Sequence, residues 1–161
     1  MNGFAGQYRR TRVGHTLAEG GGVCFCGLPL LAEAGCSHGL TLRTGGVSPA
    51  PMDSLNLGHH RPDDPENLQD NYRRFAAAAG FSLSSAAIAS YCHGDGIERA
   101  TSEHRGYGFP GAPRFPECDG LITDDPEVTL ITLHADCMPL FLFDPVAGAG
   151  GLVHAGWRGT S

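Results

Sequence analysis

Three segments place a histidine or cysteine beside small residues, where such side chains can gather on a metal ion. They are Cys92-His93-Gly94, His134-Ala135-Asp136-Cys137 and His154-Ala155-Gly156-Trp157-Arg158-Gly159. Zinc accepts imidazole nitrogen and thiolate sulfur, and a catalytic zinc uses three protein ligands with a fourth position left for water. A His, Cys, His set drawn from separate strands fits that description. No local motif enforces it. The chain has no Cys-x-x-Cys pair and no His-Glu-x-x-His, Cys24-x-Cys26 reads as structural, and single His and Cys residues are commonly packed or hydrogen-bonded side chains. On the residues alone, both readings stand.

Other residues carry two readings as well. Arg43-Thr44-Gly45-Gly46 sets a guanidinium beside backbone N–H groups that can converge on an anion, or is a glycine turn. Trp157-Arg158 is a cation–π pair or a ligand clamp. His59-His60, between Gly58 and Arg61-Pro62, reads as a solvated loop, and Cys24, Cys26 and Cys36 as small core residues. Asp119-Gly120 and Asp124-Asp125-Pro126 read as turns.

The elements that must position these groups are short strands and at least one helix. Asp64 is a good N-cap, Pro65 suits the first helical position, and Glu66 puts a negative charge in the first turn. Leu68, Tyr72, Phe75, Ala76 and Ala79 follow at helical spacing, and Gly80 supplies the stop, which predicts a helix over 65–79. Ala86 to Cys92, Val128 to Leu133, Pro139 to Phe143 and Gly151 to His154 read as strands. Ile97 to Glu117 is polar and rich in Gly and Pro, and reads as a long surface loop. Residues 1–19 read as a loose lead-in, with structured sequence from about Val23. The fold class expected is α+β, a sheet carrying a helix with its chemistry at strand ends.

Composition bounds the function. The chain has 161 residues, enough for one domain, and is 41% hydrophobic and 17% charged, the profile of a globule. No apolar run approaches the ~18 residues of a membrane span, and no segment has the form of a signal peptide, so the cytoplasm is the expected compartment. A net charge of -6 argues against nucleic acid as a partner. All eleven basic residues are arginine, which excludes a Schiff-base or phosphate-loop lysine within this sequence. Its 24 Gly and 11 Pro imply many turns and short elements.

Taken in order, several segments resemble a known family. They are Thr41-Leu42-Arg43-Thr44-Gly45-Gly46-Val47-Ser48, Ser54-Leu55-Asn56-Leu57-Gly58, Asn71 with Arg73 and Arg74, His93-Gly94, Asp119-Gly120-Leu121-Ile122-Thr123-Asp124, Ala135-Asp136-Cys137-Met138-Pro139 and His154-Ala155-Gly156-Trp157-Arg158-Gly159. Their order and wording resemble the bacterial laccase-domain, or polyphenol-oxidase-like, proteins, also known as peptidoglycan editing factors and multifunctional purine nucleoside phosphorylases. The likeness runs from about residue 23 to the last residue. The motifs around Asp136-Cys137 and Trp157 are specific together, whereas Arg-x-Gly-Gly alone is weak.

The resemblance implies layered mixed β-sheets with flanking helices, and zinc held by His93, Cys137 and His154. It implies phosphorolysis of adenosine, inosine and methylthioadenosine, with deamination of adenosine, while an older description makes the family copper-dependent phenol oxidases. For phosphorolysis, Arg43 is the best local phosphate holder and Arg158 the second. Asp136 is a proton carrier, an orienter of a ligating imidazole, or a turn carboxylate. Asn56 is a substrate contact or a turn residue. Multicopper chemistry fits less well, because it needs paired histidine patterns that are missing here. Against the family, Arg99 to Pro116 is a longer connection than usual. The sequence stops where the family opens a further helix, so 20–161 is expected to be a family domain lacking its C-terminal part. Two other readings remain: a metal-independent cysteine hydrolase or deamidase using Cys137 and His154, and a metal-binding fragment without turnover.

Overall fold

The computed structural model describes residues 16–160. Its elements are β1 (Thr16–Gly20), β2 (Val23–Gly27), α1 (Pro29–Glu33), β3 (Leu40–Thr41), α2 (Pro65–Ala79), β4 (Ala86–Ile88), β5 (Ile97–Arg99), β6 (Gly120–Thr123), β7 (Thr129–Ile131), β8 (Met138–Asp144) and β9 (Ala149–Ala155). The expected α+β class holds. The strands form three sheets: an antiparallel β1-β2-β3, a parallel β4-β7 pair and a mixed β5-β6-β9-β8. Among the described residues, no helix is long and apolar enough to cross a membrane.

Helix α2 forms where its local signals place it. The Asp64 carboxylate accepts the Glu66 N–H at 2.9 Å, and Gly80 closes the helix in the left-handed region at φ 75°. Leu68, Tyr72 and Ala76 are buried, and Phe75 packs edge-on against Phe81. Ala79, expected on that face, is exposed. The face also buries Asn71, whose amide holds the preceding loop. Its Oδ1 accepts the Val47 N–H at 2.8 Å, and its Nδ2 donates to Ser48 Oγ at 2.8 Å, Asn56 O at 2.8 Å and Ser54 O at 3.3 Å. Asp63 is a second hub: its carboxylate accepts from Asn56 Nδ2, Ser48 Oγ, Asn67 Nδ2 and the Asp64 N–H. These donors, Asn56 foremost, hold its carboxyl below the usual range.

Gly45 and Gly46 lie where the backbone crosses itself. A Cβ on Gly46 would run into Ser54 O and the Leu55 Cα, and one on Gly45 into Gly22 O. Close approach is therefore what this pair provides. The Gly46 N–H is spent on Ser54 Oγ at 3.1 Å.

Two apolar clusters form the core. Tyr72, Ala86, Ile88 and Ile131 join α2 to the β4-β7 pair, with Leu57, Phe75 and Phe109 packed around them. Ala87, Ala89, Ala100, Phe115, Cys118, Leu121 and Val128 fill the space between that pair and the mixed sheet.

The structure differs from the sequence expectations in several places. Residues 16–19, expected in the lead-in, belong to β1, while 1–15 lie outside the described residues. The Ile97–Glu117 loop contains β5, paired in parallel with β6, and a short 3-10 turn at Ser102–His104. Asp119-Gly120 is no turn: Gly120 opens β6 in the middle of the mixed sheet. The strand expected to Cys92 ends at Ile88, and that at Val128–Leu133 shortens to Thr129–Ile131. His59 is half-buried against Tyr72, and among the described residues its Nε2 is a buried polar atom without a hydrogen-bond partner. Burial, with Arg114 nearby, lowers its pKa. Cys24, Cys26 and Cys36 are half-buried, not core.

Candidate metal centre

Strand register brings distant residues to one end of the mixed sheet. Met138 pairs with Ala155 and Pro139 with His154, so Cys137, just before β8, faces the turn that leaves β9 at Gly156. Gly120 pairs with Val153, which sets Asp119 opposite His154. The His154 N–H donates to Asp119 O at 2.6 Å, and the Asp119 N–H to Gly96 O at 2.8 Å, drawing the 92–96 loop alongside.

In this corner one donor atom each from His93, Cys137 and His154 lies within 4.8 Å of the others. That is close enough for a single ion to be held by all three. Their exposure is graded: His154 is 3% exposed, Cys137 is half-buried and His93 is exposed, so the centre opens on the His93 side. The His93 and His154 rings meet edge to face at 5.0 Å, and Tyr91 touches both, at 5.8 Å and 4.9 Å. Gly156 borders the group; a Cβ there would lie 3.4 Å from His93 Cδ2 and 3.6 Å from Cys137 Sγ. Two imidazoles and a thiol with an open side fit a borderline ion such as zinc.

Asp119, expected in a turn, supports this corner. It is 1% exposed. Its carboxylate accepts His154 Nδ1 at 2.9 Å, the N–H groups of Cys92, His93 and Gly94 at 3.1, 2.9 and 2.7 Å, and Cys92 Sγ at 3.2 Å. Burial pushes its pKa up, but hydrogen bonds from His154, Gly94 and Cys92 outweigh it and carry the carboxyl down to about 2. The same hydrogen bond raises the Cys92 thiol. Only the family wording around Asp119-Gly120 could have flagged this residue, because its partners lie 25 or more positions away.

His134 is a neighbour of the site. Its Nε2 meets Thr132 Oγ1 at 2.7 Å and its Nδ1 meets Cys137 O at 3.2 Å, while its ring lies 5.1 Å from that of His154. Burial, then the His154 charge, lowers its pKa to about 4.

The other expected site residues do not belong to this three-residue group. Asp136 is exposed beside Cys137. Arg43 donates Nε to Asp53 O at 2.8 Å, within the loop that α2 holds. The Asn56 side chain donates to Asp63 and accepts the Gly58 N–H. Arg158 lies 5.0 Å over the ring of exposed Trp157, the cation–π arrangement. A cleft of about 290 Å³ lies against the centre through Tyr91, with His59, Ser90, Arg114 and Glu117 also on its walls.

Known proteins match most of this chain. It is 41% identical over 144 residues to "Purine nucleoside phosphorylase YlmD" of Geobacillus stearothermophilus, a match covering 89% of this chain and 52% of that protein. It is 43% identical over 136 residues to "Purine nucleoside phosphorylase" of Deinococcus radiodurans, covering 83% and 49%. The crystal structure of YlmD from Geobacillus stearothermophilus superposes with a TM-score of 0.77 at 39% identity, covering 89% of this chain and 53% of that one. A Bacillus licheniformis hypothetical protein, YfiH, gives a TM-score of 0.78 at 30% identity, with the same coverage of 89% and 53%. The chain thus spans about half the length of the relatives it matches. The model of the family described as "Multi-copper polyphenol oxidoreductase laccase" matches residues 37–161, and the chain belongs to that family.

Proposed function

We propose that this chain carries the metal centre of a zinc-dependent purine nucleoside enzyme of the cytoplasm. Its reaction is phosphorolysis of adenosine, inosine and methylthioadenosine to the base and (methylthio)ribose 1-phosphate, with adenosine deamination as a side activity. The observation that carries this reading is the gathering of His93, Cys137 and His154 at one sheet corner. Relatives named purine nucleoside phosphorylase supply the substrate class. Zinc, when bound there, supplies a Lewis acid and an activated water. His93, Cys137 and His154 are its ligands. Arg43 and Arg158 offer guanidinium groups for phosphate, Asn56 a hydrogen bond to substrate, and Asp136 a carboxylate that moves a proton beside Cys137. Copper is the poorer fit: multicopper oxidation needs several histidine clusters, and among the described residues a single three-ligand group is found.

The test is incubation of the zinc-loaded protein with adenosine and phosphate, followed by chromatography. Phosphate-dependent release of adenine with ribose 1-phosphate is expected. No base release at any phosphate concentration overturns the reading.

One observation favours a second reading. Asp119, His154 and Cys137 line up as orienter, base and nucleophile, the logic of a cysteine hydrolase. His93 argues for metal, since a triad has no use for a second imidazole. Alkylation separates the two. Iodoacetamide should reach Cys137 only after a chelator strips the zinc, whereas a nucleophilic Cys137 reacts whether or not chelator is present.

A further inference from the structure

The carboxylate that meets a ligating imidazole is Asp119, on His154 Nδ1, and not the exposed Asp136 expected from the family wording. We propose that Asp119 is the positioning residue of the metal centre, one buried carboxylate that presents both histidines. The inference rests on the metal-binding reading, but not on any nucleoside chemistry.

Its two oxygens divide the task. Oδ2 accepts the Cys92 and Gly94 N–H groups and the Cys92 thiol, and Oδ1 accepts the His93 N–H and His154 Nδ1. Three consecutive backbone N–H groups converging on one anion form a nest, a concavity that matches a carboxylate. The nest holds His93 at φ 63°, the left-handed region that a residue with a Cβ rarely enters. The left-handed turn is what projects the His93 ring towards Cys137 and His154.

The second task is tautomer selection. A carboxylate at its native charge only accepts hydrogen bonds, so the His154 Nδ1 that meets Oδ1 must carry the hydrogen. That leaves the Nε2 lone pair as the donor His154 contributes to the group with His93 and Cys137. The backbone reinforces the alignment, because the His154 N–H also donates to Asp119 O.

An Asp119→Asn variant separates the tasks. Its amide NH2 meets two fixed backbone N–H groups if placed at the Oδ2 position, but only that of His93 if placed at Oδ1, where the His154 ring can shift its own hydrogen to Nε2. It therefore settles at Oδ1, keeps most of the nest, and donates to His154 Nδ1. His154 must then carry its hydrogen on Nε2, the atom needed for metal.

The experiment uses zinc alone as probe, with affinity read by chelator competition and the His154 tautomer read by long-range ¹H–¹⁵N NMR of the metal-free protein. The wild type should show the Nδ1–H tautomer. In Asp119→Asn the tautomer should switch to Nε2–H, and zinc affinity should fall ~10–100-fold, the usual weight of a residue that orients a ligand. A variant that loses thermal stability but keeps both tautomer and affinity overturns the proposal, since a merely structural role does that. Should the variant fail to fold, the wild-type spectrum still decides: an Nε2–H tautomer there overturns it. Wild-type protein that binds no zinc overturns the metal reading beneath it.

Discussion

At the scale of the residue, burial sorts the histidines and cysteines of this corner into different kinds of work. His154 is enclosed and hydrogen-bonded at Nδ1, Cys137 is half-covered and His93 faces outward. Removing the thiol deletes a ligand outright, so Cys137→Ala should lower zinc affinity by more than the ~10–100-fold carried by an orienting residue. Metal content measured after gel filtration checks this; stoichiometric zinc in the variant would show that the thiol is no ligand. His134 behaves differently. With its pKa lowered to about 4 by burial, it stays neutral in the folded protein where an unfolded chain would already be protonating it. Its contribution to stability is therefore complete above about pH 6.5 and is lost as pH falls towards about 4. An NMR titration of the metal-free protein should show the His134 ring resonance flat from pH 8 to about 5. A midpoint near 6.5 would contradict the burial argument.

At the scale of the element, α2 and its loop show which parts of a fold local sequence can announce. Asp64, Pro65, Glu66 and Gly80 act within a turn of themselves, and the helix runs 65–79 as those signals dictate. Asn71 acts over a distance of 15 to 24 residues, which no periodicity reveals. Replacing it by Ala leaves the Val47 N–H and the Asn56 carbonyl without their partner, while Ser54 O keeps the Ser48 N–H at 2.9 Å. A buried group left unsatisfied costs about 1–3 kcal/mol. Asn71→Ala should therefore destabilise the protein by about 3 kcal/mol, visible as a lower urea midpoint. A change below about 0.5 kcal/mol, typical of surface sites, would mean the loop is held by other contacts. The same distance effect hid Asp119. Asp-Gly is a strong turn signal, and only the pairing of β6 with β5 and β9 turns the dipeptide into the start of a central strand. The candidate metal ligands were legible as residue types and through the family wording. Their meeting was not, because it depends on the β8-β9 register.

At the scale of the whole molecule, the mixed sheet has one face in the core and one face that is apolar yet open. Register places Leu142, Gly151, Ile122 and Arg99 in one cross-strand row, and Leu140, Val153, Gly120 and Ile97 in the next. Met138, Leu142 and Ile97 are 65%, 58% and 47% exposed. Alternation along β8 hints at this, since Met138, Leu140 and Leu142 share a face with no polar residue between them. Among the described residues, strand β8 is also an edge of that sheet, and an edge strand offers backbone groups for pairing. An apolar face joined to an unpaired edge drives association, and the chain as it stands should self-associate in the ~µM–mM range. Lysine on the outward positions of an edge strand opposes such pairing by charge. A Leu140→Lys, Leu142→Lys double variant should remain dispersed in light scattering. Its stability should stay within about 1 kcal/mol of the parent, because each change lies at a surface site costing about 0.5 kcal/mol or less. A parent chain that stays monomeric at those concentrations would show that the open face is tolerated in water. A variant that associates as strongly as its parent would place the contact on another surface.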